Sequence, residues 1–174
     1  MNAERAQVGW RFWLGWVLAS TVGVVVGLTV GTFVQDSAVT WGNVLGGAVI
    51  GASIGTAQWL VLRRQISRSG WWVLASTVGA IVGNVMGGVA FGAGAIGGWA
   101  VFGGSIGTAQ WLVLRRQVSR SGCWVLASTV TVAVVGVPTY APALVWASLI
   151  ALAGYGAITG GVLVWLLRQP SREA

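Results

Sequence analysis

The stretch SIGTAQWLVLRRQISRSGWWVLAST runs from Ser53 to Thr77 and returns from Ser105 to Thr129 as SIGTAQWLVLRRQVSRSGCWVLAST, with Val118 for Ile66 and Cys123 for Trp71. Each copy joins an apolar run ending in LRRQ to an apolar run opening with WVLAST through a short turn of Arg and Ser. WVLAST also opens at Trp16, and LLRQ closes a run at Leu166. The repeating unit is a two-helix hairpin of about 52 residues, counted from Gly55 to Gly107, and the copies fall at about 10–66, 67–118 and 119–170. Repeats of this kind settle an architecture before any single motif does.

The solvent follows from composition. Of 174 residues, 56% are hydrophobic and 7% charged, whereas a soluble domain carries about 25% charged residues. Runs of about 20 apolar residues cross the hydrocarbon of a bilayer. They lie at Trp13 to Phe33, Trp41 to Leu62, Trp71 to Phe91, Ala95 to Leu114, Cys123 to Tyr140 and Ala143 to Leu167. The expectation is one transmembrane domain over residues 1–174, an all-α bundle of six crossings arranged as three tandem hairpins. An even number of crossings per unit gives every copy the same orientation, hence a rough three-fold pseudosymmetry about the membrane normal. The first run, preceded by Arg5 and Arg11, has the look of a secretory signal. Its WVLAST recurs inside the chain, so it is read as a retained helix.

The net charge of +7 comes from ten basic residues, all Arg. They cluster at Arg5 and Arg11, at Arg63, Arg64 and Arg68, at Arg115, Arg116 and Arg120, and at Arg168 and Arg172. The breaks VQDSAVT from Val34, FGAGA from Phe91 and PTYAP from Pro138 hold no basic residue. Basic residues at alternate helix ends are the positive-inside pattern, which places both termini and the Arg turns in the cytoplasm of an inner, plasma or internal membrane. Contact with anionic headgroups can add to that role. A nucleic-acid partner is not expected, because the charge is distributed by helix end and forms no single basic face.

Within lipid, helices associate through small residues that let backbones approach. Gly15, Ala19, Gly23, Gly27 and Gly31 recur at intervals of four, as do Ala75, Gly79, Gly83 and Gly87; Gly47, Gly51 and Gly55; and Gly103 and Gly107. Each stripe is expected to mark a helix seam, inside the bundle or with a further copy or a larger membrane complex.

Polar residues follow the stripes. Ser20, Gln58, Ser76, Gln110 and Ser128 each fall about five residues inside a Trp or Arg boundary, roughly 7 Å of helix rise. They read as one polar layer, either interhelical hydrogen bonds or the wall of a vestibule. Helix six puts Val162 where Gln58 and Gln110 align, so an equal three-way ring is not expected. Trp10, Trp13, Trp16, Trp59, Trp71, Trp72, Trp111, Trp124 and Trp165 lie toward the Arg-bearing ends, with Trp41, Trp99 and Trp146 toward the other, and read as headgroup belts.

No His, Lys, Asp or Glu stands inside a span, where ion-coupled transporters place ionisable groups. Ser and Thr lack a base, and Cys123 lacks an activating neighbour. Catalysis, metal binding and a cofactor are therefore not expected. Three hairpins are similar in outline to the mitochondrial carriers, whose Pro-x-Asp/Glu-x-x-Lys/Arg signature has no counterpart here. The GTAQWLVLRRQ…WWVLAST unit resembles Trp- and Gly-rich tandem-hairpin membrane proteins of bacteria over nearly the whole chain; the resemblance implies an architecture and no activity. Three functions fit: a non-catalytic scaffold or small subunit, a passive pore past the Gln and Ser layer, and a binder of a lipid or other apolar ligand.

Overall fold

The computed structural model of the chain describes residues 8–35, 39–66, 69–91, 96–115, 117–118, 120–136 and 145–169. They form six helices: α1 (Trp10–Gln35), α2 (Val39–Leu62), α3 (Gly70–Phe91), α4 (Ile96–Leu114), α5 (Cys123–Gly136) and α6 (Val145–Arg168). Among the described residues there is no strand. Arg5, Arg68, Arg116 and Arg172, and the expected span ends at Ala95, Tyr140 and Ala143, lie outside the described residues.

Four helical segments are long and apolar enough to cross a membrane: Trp10–Gly31, Trp41–Leu62, Gly70–Phe91 and Ser148–Arg168. Within the described residues, α4 and α5 do not reach that length and apolarity. In α4, Gly, Ser, Thr and Gln dilute the apolar run, and α5 is described for only 14 residues, to Gly136.

Each helix packs on its neighbours in the chain, and α6 packs back on α1, so the six close into a ring. Large aliphatic side chains point outward, among them Leu18 and Val22 on α1, Val78 and Met86 on α3, and Val130 and Val134 on α5. Ser20, Gln58, Ser76 and Gln110 are fully buried. Polar groups inside and Leu or Val outside is the arrangement that an apolar solvent selects.

Close backbone approach explains the glycine stripes. A Cβ on Gly23 would stand 2.9 Å from the Ile54 Cα, and one on Gly27 3.0 Å from the Ile50 Cα, across the α1/α2 seam. On Gly51 it would stand 2.5 Å from the Ser76 carbonyl oxygen, and on Gly83 2.6 Å from the Phe102 Cα. Gly103 abuts Ser128 and Val132 in the same manner. Two glycines outside the stripes read from sequence, Gly156 and Gly160, press α6 against Val17 and Trp16 of α1. Gly15 makes only ordinary contact with Val61.

The elbows repeat in detail. The Leu62 carbonyl accepts from the backbone N–H of Gln65 and Ile66 at 2.8 and 3.1 Å, and the Leu114 carbonyl from Gln117 and Val118 at 2.9 Å each. Ile66 and Val118 thereby fold under the bundle and are buried. The Arg63 and Arg115 guanidinium groups lie over the Trp59 and Trp111 rings at 5.8 and 5.2 Å, a favourable cation–π placement.

Candidate functional site

Three tryptophans read as belt residues are instead the axis of the bundle. Trp16, Trp72 and Trp124 have no exposed surface. Their ring centroids stand 6.0, 6.0 and 5.7 Å apart, each pair edge to face, the geometry that the aromatic quadrupole favours. The reason is helical phase. Each Trp precedes Ser20, Ser76 or Ser128 by four residues, which puts it on the same inward face. Trp10, Trp41 and Trp71 remain well exposed, as a belt requires.

Burying an indole in apolar surroundings obliges its N–H to find an acceptor. The Trp72 Nε1 donates to Gln58 Oε1 at 3.0 Å, and the Trp124 Nε1 to Gln110 Oε1 at 2.9 Å. The Trp16 Nε1 donates to Thr159 Oγ1 at 3.1 Å. Each acceptor sits on the helix that precedes the tryptophan's helix around the ring. Gln58 Nε2 then donates to Ser20 Oγ at 3.1 Å, and Gln110 Nε2 to Ser76 Oγ at 2.8 Å and to Gln58 Oε1 at 3.3 Å. Ser76 Oγ donates to its own Trp72 carbonyl at 2.8 Å, so all five polar positions singled out in the sequence are buried and four of them share one network.

The fifth is the exception. Ser128 is 2% exposed, and its Oγ has no hydrogen-bond partner. Ser20 and Ser76 are each served by a Gln on the following helix, but α6 supplies none. Sequence alignment assigns that place to Val162, yet Val162 is only half-buried, and Leu163 takes the inward position with no exposed surface. One turn deeper, Thr159 bonds the Trp16 indole while its hydroxyl also donates to the Tyr155 carbonyl at 2.7 Å. Thr159 and the buried Tyr155 were not legible from the repeat, because α6 departs from the pattern that α2 and α4 share.

The layer is closed on both sides. Toward the Arg-bearing end, the three tryptophans pack with Leu62, Leu114 and Leu166, all without exposed surface, and with Ile66 and Val118. Beyond it, Val24, Ile50, Ile54, Phe102, Ile106, Leu152 and Tyr155 form a second apolar cluster. That cluster surrounds an axial cavity of about 50 Å³.

The remaining expected residues fall in two groups. Gly31, Gly47, Gly55, Gly79, Gly87 and Gly107 are buried in the helix seams, while Arg63, Arg64, Arg115 and Arg120 are exposed at the elbows. Two contacts had no signal in the repeat. Arg168 clasps the Val8 carbonyl oxygen through Nε and Nη2 at 3.1 and 2.9 Å, tying the end of α6 to the entrance of α1. Asn84 Nδ2 donates to the Asn43 carbonyl at 2.9 Å between α3 and α2.

The chain matches no protein-family profile, no curated protein and no solved structure.

Proposed function

We propose that the chain is an integral membrane protein of three like-facing hairpins about a common axis, its Arg-bearing elbows and both termini cytoplasmic. On this reading it works as a non-catalytic structural subunit, a rigid body against which other membrane components or further copies pack. The observation that carries the reading is the buried axis, where Trp16, Trp72 and Trp124 fill the centre and bond to Gln58, Gln110 and Thr159. Ser20, Gln58, Ser76 and Gln110, four of the polar residues that would line a permeation path, spend hydrogen bonds on one another and on the buried tryptophans. Alternation of Arg along the chain and the outward Leu and Val surface support the membrane placement.

Sidedness is tested with single cysteines in a Cys123→Ser background, one at Gln65 and one at Val89, both exposed. A membrane-impermeant thiol reagent outside intact cells should label Val89→Cys and spare Gln65→Cys; equal labelling of the two refutes the topology. The structural role predicts a defined mass of protein in mild detergent, with co-purifying membrane proteins or self-association. It also predicts no solute flux in liposomes above protein-free controls. A flux that Gln58→Leu lowers would replace it with the pore.

A further inference from the structure

Ten Arg stand against three acidic residues, a net charge of +7. Even if each acid took one partner, seven guanidinium groups would find no carboxylate in the chain. Glu4, Asp36 and Glu173 all fall outside the described residues, and Asp36 belongs to a break at the opposite helix ends. The positive-inside pattern is met by Lys and Arg alike, yet all ten positions hold Arg. What Arg adds is a planar fork of donors that grips a phosphate through two parallel bonds, where Lys is a point charge.

The two elbows seat that fork. At α2/α3 the Trp59 Nε1 donates to Ser69 Oγ at 3.1 Å, which pins the ring across the turn, and the Arg63 guanidinium lies over that ring with Arg64 next to it in the chain. At α4/α5 Arg115 lies over Trp111. Arg120 holds its left-handed φ of 57° in the same turn, a strained conformation of the kind that collects at ligand sites. Arg63, Arg64, Arg115 and Arg120 are exposed, and none donates a hydrogen bond to a described residue. The first turns of α3 and α5 hold no acidic residue, although the positive end of a helix dipole favours an anion. The third corner differs. Leu167 stands where Arg63 and Arg115 align, and the Arg168 fork is spent on the Val8 carbonyl.

We propose that each of the two elbows binds the headgroup phosphate of one anionic phospholipid, through Arg63 with Arg64 at α2/α3 and Arg115 with Arg120 at α4/α5, and that the α6/α1 corner offers no equal site. The inference rests on the membrane placement given above, which sets the elbows at headgroup level, and goes beyond the structural role. Charge selects the lipid: the ammonium of a zwitterionic headgroup cancels its phosphate, whereas an anionic headgroup leaves the phosphate to the unpaired guanidinium groups.

The test titrates the full chain in mild detergent with phosphatidylglycerol or with phosphatidylcholine and counts bound lipids by native mass spectrometry. Two phosphatidylglycerol molecules should bind, each about twentyfold more tightly than phosphatidylcholine, from about fivefold per Arg. Arg63→Gln with Arg64→Gln should leave one of them, Arg115→Gln with Arg120→Gln the other, and all four changes together neither. Should a Gln pair fail to insert, Arg63→Lys with Arg64→Lys keeps the charge pattern and should still weaken its site several-fold, because the fork is lost. Equal binding of the two lipids overturns the proposal, and so does a third phosphatidylglycerol held as tightly as the first two. Arg168→Gln weakening binding as much as Arg64→Gln would make net charge the only determinant and overturn it as well. Displacement of both lipids by an equal concentration of inorganic phosphate would assign the elbows to the free ion. Two-lipid binding in detergent beside failed sidedness labelling would refute the topology alone.

Discussion

Replacing Gln58 by Leu removes the centre of the buried network at nearly constant volume. Three hydrogen bonds go: from Trp72 Nε1 at 3.0 Å, to Ser20 Oγ at 3.1 Å, and from Gln110 Nε2 at 3.3 Å. They are not lost equally. Gln110 keeps its shorter bond to Ser76 at 2.8 Å, and Ser20 can turn its hydroxyl to the carbonyl four residues back, as Ser76 does. The Trp72 indole has no substitute acceptor, and a buried donor left unsatisfied costs about 1–3 kcal/mol. Interhelical hydrogen bonds in membrane proteins average only about 0.6 kcal/mol, with a maximum near 1.7, so the whole change should destabilise the bundle by roughly 2 kcal/mol. Gln110→Leu should cost about the same, since it strands Trp124, and Thr159→Val about 1–2 kcal/mol, since it strands the Trp16 indole and removes the bond to the Tyr155 carbonyl within α6. The two Gln variants combined should cost less than their sum by the one bond they share, about 0.6 kcal/mol. Reversible unfolding in mixed micelles, followed by tryptophan fluorescence, measures all four. If Gln58→Leu and Thr159→Val both prove as stable as the parent, the network does not hold the axis.

Other outcomes follow from single contacts. Gly51→Ala pushes a methyl to 2.5 Å from the Ser76 carbonyl oxygen and should cost about 2–3 kcal/mol by overpacking. Gly161→Ala meets open space and should be neutral or stabilising by up to about 1 kcal/mol; the same unfolding assay ranks them. Arg168→Lys keeps the charge but cannot hold the Val8 carbonyl with a guanidinium fork. It should raise amide exchange at the start of α1 without changing exchange in α3. Arg120 holds φ at 57° in the α4–α5 turn, a region costly for a side-chain-bearing residue. Arg120→Gly should be tolerated within about 0.5 kcal/mol, whereas the β-branched Arg120→Val should cost about 1–2 kcal/mol, read as a shift in thermal midpoint.

Much of the site was written in the repeat. Ser20, Gln58, Ser76, Gln110 and Ser128 stand out because polar residues among apolar ones are conspicuous, and their fixed distance from WVLAST and LRRQ puts them at one level. The glycines were equally visible, as was the alternation of Arg. The axial role of Trp16, Trp72 and Trp124 was present as a four-residue offset from Ser but hidden by chemistry, since tryptophan suits a headgroup belt and a packed centre alike. Trp71 and Trp72 are adjacent and identical in type, yet one is 60% exposed and the other fully buried.

The sequence by itself determined the apolar character of the helices, the number of helical segments among the described residues and the residues through which they meet. Those properties depend on composition and on periodicities of small residues, which a chain carries locally. Only the tertiary structure decided which apolar side chains turn inward, and that α6 offers Thr159 and Leu163 where Val162 was expected. In an apolar solvent, Leu or Val gains little by facing a neighbour instead of lipid. Hydropathy therefore cannot sort inside from outside, and the rotation of each helix is fixed by close packing and hydrogen bonding between segments far apart in the chain.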